Sequence, residues 1–140
     1  MEFSSNPEKT KGGLDWTSVI LEFNMDSSKL ILTALKFNEK TNQQDLEGLA
    51  ELMTTDHTFI DNDCRVTKGK YAMKEGWRDF FAQYPDYRNT FNCVTAQDKT
   101  VVMVGYSTCS HKPLDGPNIW TAKVRDGRAA EWRILWLNKR

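Results

Sequence analysis

Two carboxylates, Asp61 and Asp63, close the stretch HTFIDND, and His57 opens it. Its first half has the aromatic and β-branched character of a strand. A carboxylate at the end of such a strand has two fates. Turned to solvent, it caps the Thr67-Lys68-Gly69 turn or is simply hydrated. Turned toward an aromatic cavity, it loses hydration, its pKa rises, and it becomes a candidate general base. Side chains alternate along a strand, so His57, Phe59 and Asp61 share a face. An inward Asp61 therefore brings His57 inward as an acid–base partner, with Cβ atoms two pleat repeats apart, too far for a direct hydrogen bond. The alternative for His57 is a surface place at the strand start. His111, in HKPLDGP, either closes over a ligand or lies in solvent. The two histidines with Asp61 and Asp63 fit no metal-ligand spacing, and neither a metal nor another cofactor is expected.

The composition narrows the class. The chain has 140 residues, enough for one domain with a substantial core, and carries 19 basic and 19 acidic side chains. That balance gives no electrostatic reason to expect nucleic acid or an anionic membrane as partner. The three cysteines, Cys64, Cys93 and Cys109, are widely spaced and form neither a disulfide framework nor a metal motif. With no apolar run near the ~20 residues that span a bilayer and no secretion signal, a reduced cytoplasmic protein is expected. Five tryptophans are generous for this length and suit a small-molecule pocket as well as a core.

The elements that must position these residues follow from periodicity and breakers. Residues 1–25 are taken as a flexible or peripheral leader ahead of one domain over 26–140, and LDWTSVILEFNM admits either strand or helix. A first helix is expected from Ser27, with Ser27 or Ser28 as cap and Leu30, Leu32, Ala34, Leu35 and Phe37 as its stripe. Asp45 caps a second, with Leu46, Leu49, Ala50 and Met53 on one face. After the HTFID strand and a TKGK turn comes a third helix, Tyr71 to Tyr84, carrying Ala72, Trp77, Phe80 and Phe81 and stopped by Pro85. The remainder reads as three or four antiparallel strands, one hairpin closing at Asp126-Gly127. Helices segregate from strands, which predicts an α+β fold with one curved sheet over three helices.

That order resembles the SnoaL-like group of the nuclear-transport-factor-2-like superfamily, which includes ketosteroid isomerase. The stretches carrying the resemblance are DLEGLAELMTTDHTFIDND, KGKYAMKEGWRDFFAQYPDYR, DKTVVMVGYSTCSHKPLDG and TAKVRDGRAAEWRILW, within about Ser27 to Leu137. It implies a cone-shaped α+β barrel with an apolar interior open at one end, and a homodimer through the outer sheet face. It implies no single chemistry: isomerases, cyclases, dehydratases, hydrolases and non-catalytic modules share the fold.

Carried over position by position, the resemblance places Asp61 where ketosteroid isomerases hold their general base. Their oxyanion-stabilising Tyr falls near Thr33, and their second acid corresponds to Trp120. Without those donors, making an enolate is poorly supported. The expected ligand is a small hydrophobic or aromatic molecule. The resemblance puts Trp120 and Ala122, and Trp132, Ile134 and Trp136, on the concave face. Trp77 and Phe81 supply the opposite wall, Phe59 joins by parity with His57, and Tyr106 and Thr108 are candidate hydrogen-bonding groups. The reading is a ligand-binding domain with possible Asp-dependent catalysis, against a non-catalytic binding or protein-interaction module.

Overall fold

The computed structural model describes residues 16–136. Of the leader expected over residues 1–25, residues 1–15 lie outside them. Helix α1 spans Trp16–Gln43. The stretch that admitted strand or helix is thus helical from Trp16, and Ser27 and Ser28 lie inside the helix rather than capping it. No glycine or proline interrupts the sequence between Trp16 and Gln43, so nothing local stops the helix sooner. Its core stripe also differs from the expected one. Ala34 and Phe37 are buried, whereas Leu32 and Leu35 are exposed. The polar Thr33, Asn38 and Thr41 are buried in their place.

Gln44 takes a left-handed backbone conformation with φ 57° and ends α1. Asp45 then caps α2 (Leu46–Glu51), its carboxylate accepting from the Gly48 N–H at 3.0 Å. Met53 does not extend α2 but opens β1 (Met53–Ile60), where it stays buried. Part of the expected TKGK turn is a short strand, β2 (Val66–Lys68), paired antiparallel with β1. Gly69, at φ 101°, swings the chain into α3 (Lys70–Gln83). The inward stripe of α3 is Met73, Trp77 and Phe81, four residues apart, while Ala72 is exposed.

Four strands complete the chain: β3 (Arg88–Gln97), β4 (Thr100–Thr108), β5 (Gly116–Arg125) and β6 (Arg128–Trp136). Asp126 and Gly127, both at positive φ, make the tight turn the sequence predicts between β5 and β6. The six-stranded sheet runs β2-β1-β6-β5-β4-β3, with β1 and β6 the one parallel pair. Three helices cover its concave face, the α+β arrangement expected.

Two irregularities meet at one point of this sheet. Between β1 and β6 the pairing jumps from Met53↔Ala129 to Thr58↔Glu131, so β1 uses more residues than β6 across the gap. Between β5 and β6 it jumps from Lys123↔Glu131 to Val124↔Ala129, leaving Ala130 extra. Such bulges bend a strand and sharpen twist. A third shift, in β3 between Phe91 and Cys93, faces Gly105 of β4. A Cβ at Gly105 would lie 1.8 Å from the Thr90 carbonyl oxygen, so only glycine fits there.

Gly105→Ala is therefore expected to lower stability by roughly 3 kcal/mol or more, since overpacking a rigid backbone contact cannot relax. Gly76→Ala, on an open part of α3 with its nearest outside contacts at 4.0 Å, is expected to raise stability by roughly 0.5–1 kcal/mol. Denaturant midpoints of the two variants check the pair.

Candidate functional site

The core between α1, α3 and the sheet is rich in aromatic rings. Phe37 stacks on Trp132 with centroids 4.3 Å apart, and also on His57 at 5.9 Å. Trp77 meets Phe59 edge-on and lies against Phe81. Trp120 leans on Phe91 at 5.0 Å. These rings belong to one contiguous core with Leu49, Met53, Met103, Ala122 and Ala129. Trp120, Ala122 and His57 have no exposed surface, and Trp132 shows 1%. Phe59 and Ile134 are partly buried against the same cluster. Trp136 pairs with Asn118 at the end of β6, and its side chain lies outside the described part of the chain.

Cross-strand partners share a face, and the register decides which residues look inward. Met103 pairs with Trp120, so the odd-numbered residues of β4 face the core: Val101, Met103, Gly105 and Ser107. Tyr106 and Thr108 are exposed on the outer face, which corrects their expected place among the ligand-binding groups. The inward polar group of that strand is Ser107, 1% exposed. Its hydroxyl donates to Asn89 Oδ1 at 2.8 Å and accepts from the buried Tyr87 hydroxyl at 3.2 Å. Burial raises the Tyr87 pKa and keeps the phenol neutral.

His57 is the histidine at the centre of the molecule, not at its surface. Its Nδ1 lies 2.6 Å from the Ala129 carbonyl oxygen. A carbonyl only accepts, so Nδ1 carries the proton and Nε2 carries the lone pair. Nε2 is buried and has no hydrogen-bonding partner among the described residues. Burial pushes the imidazole pKa below its ordinary value, against the opposing pull of the Ala129 carbonyl, Asp56 and Glu131. The ring is thus neutral at neutral pH.

Asp61 sits elsewhere. One carboxylate oxygen accepts the backbone N–H groups of Asp63 and Arg65, each at 2.9 Å, and the other lies 3.5 Å from the Arg65 guanidinium. Its own N–H donates to the Arg65 carbonyl. These are the bonds of a side chain that holds the β1–β2 turn, and His57 and Asp61 make no hydrogen bond to each other. His111 is exposed in its loop with its ring tilted over Tyr84.

Sequence reasoning missed a set of inward polar atoms. The indole N–H groups of Trp77 and Trp120, the Asn118 side-chain nitrogen and the Asn38 side-chain oxygen are buried without a partner among the described residues, as is His57 Nε2. Asn118 shares period-two parity with Trp120 and Ala122, so its inward face was readable. Three of these atoms are donors and two are acceptors.

A family model for the SnoaL-like domain matches residues 34–132. The chain belongs to the SnoaL-like domain family. Solved structures share its fold. A cystatin-fold protein from Novosphingobium aromaticivorans is 18% identical over 76% of this chain and 97% of its own, with TM-score 0.67. An epoxide hydrolase of the LEH-like type from M. tuberculosis is 14% identical over 78% and 83%, with TM-score 0.69. TerC, co-crystallised with polyporic acid, is 16% identical over 77% and 91%, with TM-score 0.66. No curated protein matches the sequence. Among the described residues of this SnoaL-like domain, no helix is long and apolar enough to cross a membrane, and no three His, Cys, Asp or Glu gather as a metal site.

His57 supplies a pH prediction. The unfolded imidazole titrates near 6.5, while the folded one titrates lower, so the unfolded chain binds the proton more readily. Stability from this group is full above about pH 6.5 and is lost as pH falls from there through the folded value, at up to about 1.4 kcal/mol per unit. Melting temperatures between pH 7.5 and 5 are expected to fall in the native chain and to stay flatter in His57→Phe. Asp61→Ala, which removes two backbone acceptor bonds, is expected to cost about 1–2 kcal/mol at neutral pH, and Asp61→Asn less, because its amide oxygen still accepts.

Proposed function

We propose that this SnoaL-like domain binds a small, flat, largely hydrophobic molecule in its aromatic interior, between α3 and the inward rows of β1, β4, β5 and β6. One observation carries the reading: the Trp77 and Trp120 indole N–H groups are buried within an apolar core and have no acceptor among the described residues. A buried unpaired donor costs about 1–3 kcal/mol. Phenylalanine would fill most of the same volume without that cost. Donors kept in an apolar wall fit a ligand that brings an oxygen to them. The crystallisation of TerC with polyporic acid, on the same fold, supports a small molecule as the occupant.

Binding is a better account of this geometry than catalysis by Asp61. A base must present a free lone pair to its substrate. The Asp61 carboxylate instead accepts two N–H groups of its own turn and lies beside Arg65, and it is not part of the aromatic core. An Asp-dependent isomerase, cyclase, dehydratase or hydrolase would need that turn to open.

The outer face supports the proposed homodimer. Cys93, Val104, Ile119 and Leu135 stand in one cross-strand row over β3, β4, β5 and β6. Val104 and Leu135 are 38% and 37% exposed, and Tyr106 beside them 40%. An apolar row running across four strands suits a self-complementary sheet-to-sheet contact.

Titration with 1-tetralone, a flat ketone that only accepts hydrogen bonds, tests the interior. The indole N–H resonances of Trp77 and Trp120, assigned through Trp→Phe variants, are expected to shift in concert and to saturate. Shifts confined to exposed residues would defeat the reading. For the outer face, sedimentation should give a dimer for the native chain and a monomer for Val104→Glu combined with Leu135→Glu; a native monomer would remove the dimer.

A further inference from the structure

We propose that His57 Nε2 is the acceptor that selects the ligand, and that the ligand therefore carries a hydroxyl group, as a phenol or enol does. The inference rests on the interior binding site proposed above and deepens it. Four observations carry it. The imidazole is fully buried, so it is removed from bulk solvent. Its Nδ1–H is committed to the Ala129 carbonyl at 2.6 Å, which leaves Nε2 as an acceptor and not a donor. Nε2 has no partner among the described residues. The ring cannot turn freely to change this, because it is stacked on Phe37, which is stacked in turn on Trp132.

The buried side-chain atoms without a partner among the described residues sort by sign. The indole N–H groups of Trp77 and Trp120, the Asn118 nitrogen and Arg133 Nε donate, His57 Nε2 and the Asn38 oxygen accept, and the Thr54 hydroxyl can do either. Donors alone would suit a ketone or quinone oxygen. The buried imidazole lone pair adds a demand for a hydrogen that the ligand must bring. A flat, neutral molecule with a carbonyl and a hydroxyl answers both halves. His57 here is a specificity-determining acceptor: it takes a hydrogen bond, and no bond to the ligand is made or broken.

A site built around a buried polar group rejects the analogue that lacks the matching partner, because binding leaves that group unpaired. The test uses the full chain with 2-naphthol and 2-fluoronaphthalene, which have nearly the same shape and differ in the donated hydrogen. Calorimetry and the ¹⁵N spectrum of labelled histidine are read together. Both probes are expected to bind, 2-naphthol about tenfold or more tightly. The free protein should show His57 Nε2 as the unprotonated nitrogen, and 2-naphthol alone should move its resonance. His57→Phe should bind the two probes equally, while His57→Gln, whose amide oxygen can accept, should recover part of the preference.

Equal affinities in the native chain would overturn the role of His57 and leave the interior site standing. Binding of neither probe would overturn the interior site and this inference with it. A spectrum with the proton on Nε2 would overturn the inference whatever the affinities. The native-chain measurements decide the matter even where His57→Phe fails to fold.

Discussion

The interior depends on how β1 is fastened to β6. These strands run parallel, and their ladder breaks between Met53↔Ala129 and Thr58↔Glu131. Ala129 lies at the break and is held on both sides. Its N–H donates to the Leu52 carbonyl at 2.7 Å, and its carbonyl accepts the His57 ring at 2.6 Å. A side chain thus supplies the bond that a regular ladder would take from the backbone. The His57 carbonyl in turn accepts the Gly69 N–H at 2.7 Å, the residue from which α3 departs. One residue therefore bridges the sheet and sets the start of the helix that covers it. A buried backbone oxygen left without a donor costs about as much as a lost hydrogen bond, so this junction is a requirement of the fold.

The same fastening decides the chemistry of the interior. Because the Ala129 carbonyl takes one imidazole nitrogen, the other must carry its lone pair inside an aromatic cluster. The Ala129 bond accounts for one nitrogen of the ring and leaves the other without a partner among the described residues. This core keeps several unpartnered polar atoms among large apolar rings. The Asn118 oxygen accepts the Ile119 N–H at 3.0 Å, which fixes the amide and leaves its nitrogen without a partner among the described residues. The Tyr87–Ser107–Asn89 chain shows the contrast, since there the polar groups satisfy one another and tie the loop after α3 to β3 and β4. Both kinds of polar group are buried, and in the second each member is paired with another.

Much of this architecture was legible in the sequence, because its signals are local. The Asp45 cap, the stop at Pro85 and the Asp126-Gly127 turn each act over a few residues, and each stands where the pattern puts it. Alternation set Trp120 with Ala122 on one face of β5 and Trp132 with Ile134 on one face of β6, the family resemblance put those faces inward, and Trp120, Ala122 and Trp132 are buried there. On β4 the local pattern fails. Val101 to Thr108 holds apolar residues on both parities, and only pairing with Trp120 reveals that Ser107 faces in while Tyr106 and Thr108 face out. Gly105 is equally silent in sequence, for its purpose is the close approach of Thr90 on another strand. The long α1 was missed for a different reason: two serines suggested a cap within a sequence that contains no breaker.

The sequence reading set Asp61 first and His57 beside it, and the structure gives these two residues of β1 different surroundings. His57 and Asp61 share a parity, and the family resemblance drew attention to the strand end. The end of β1 is also where the chain turns back to form β2, and that turn needs acceptors for the N–H groups of Asp63 and Arg65. Asp61 is the side chain placed to supply them, and its carboxylate is held there beside Arg65. His57 is under the opposite constraint. It occupies a break in the ladder, where the nearest acceptor is the Ala129 carbonyl and the surroundings are Phe37 and Trp132. No spacing rule along one strand could show this, because the bond joins residues 72 positions apart. On β1 the buried polar side chain is thus His57, bonded to Ala129, while Asp61 at the strand end holds the turn into β2.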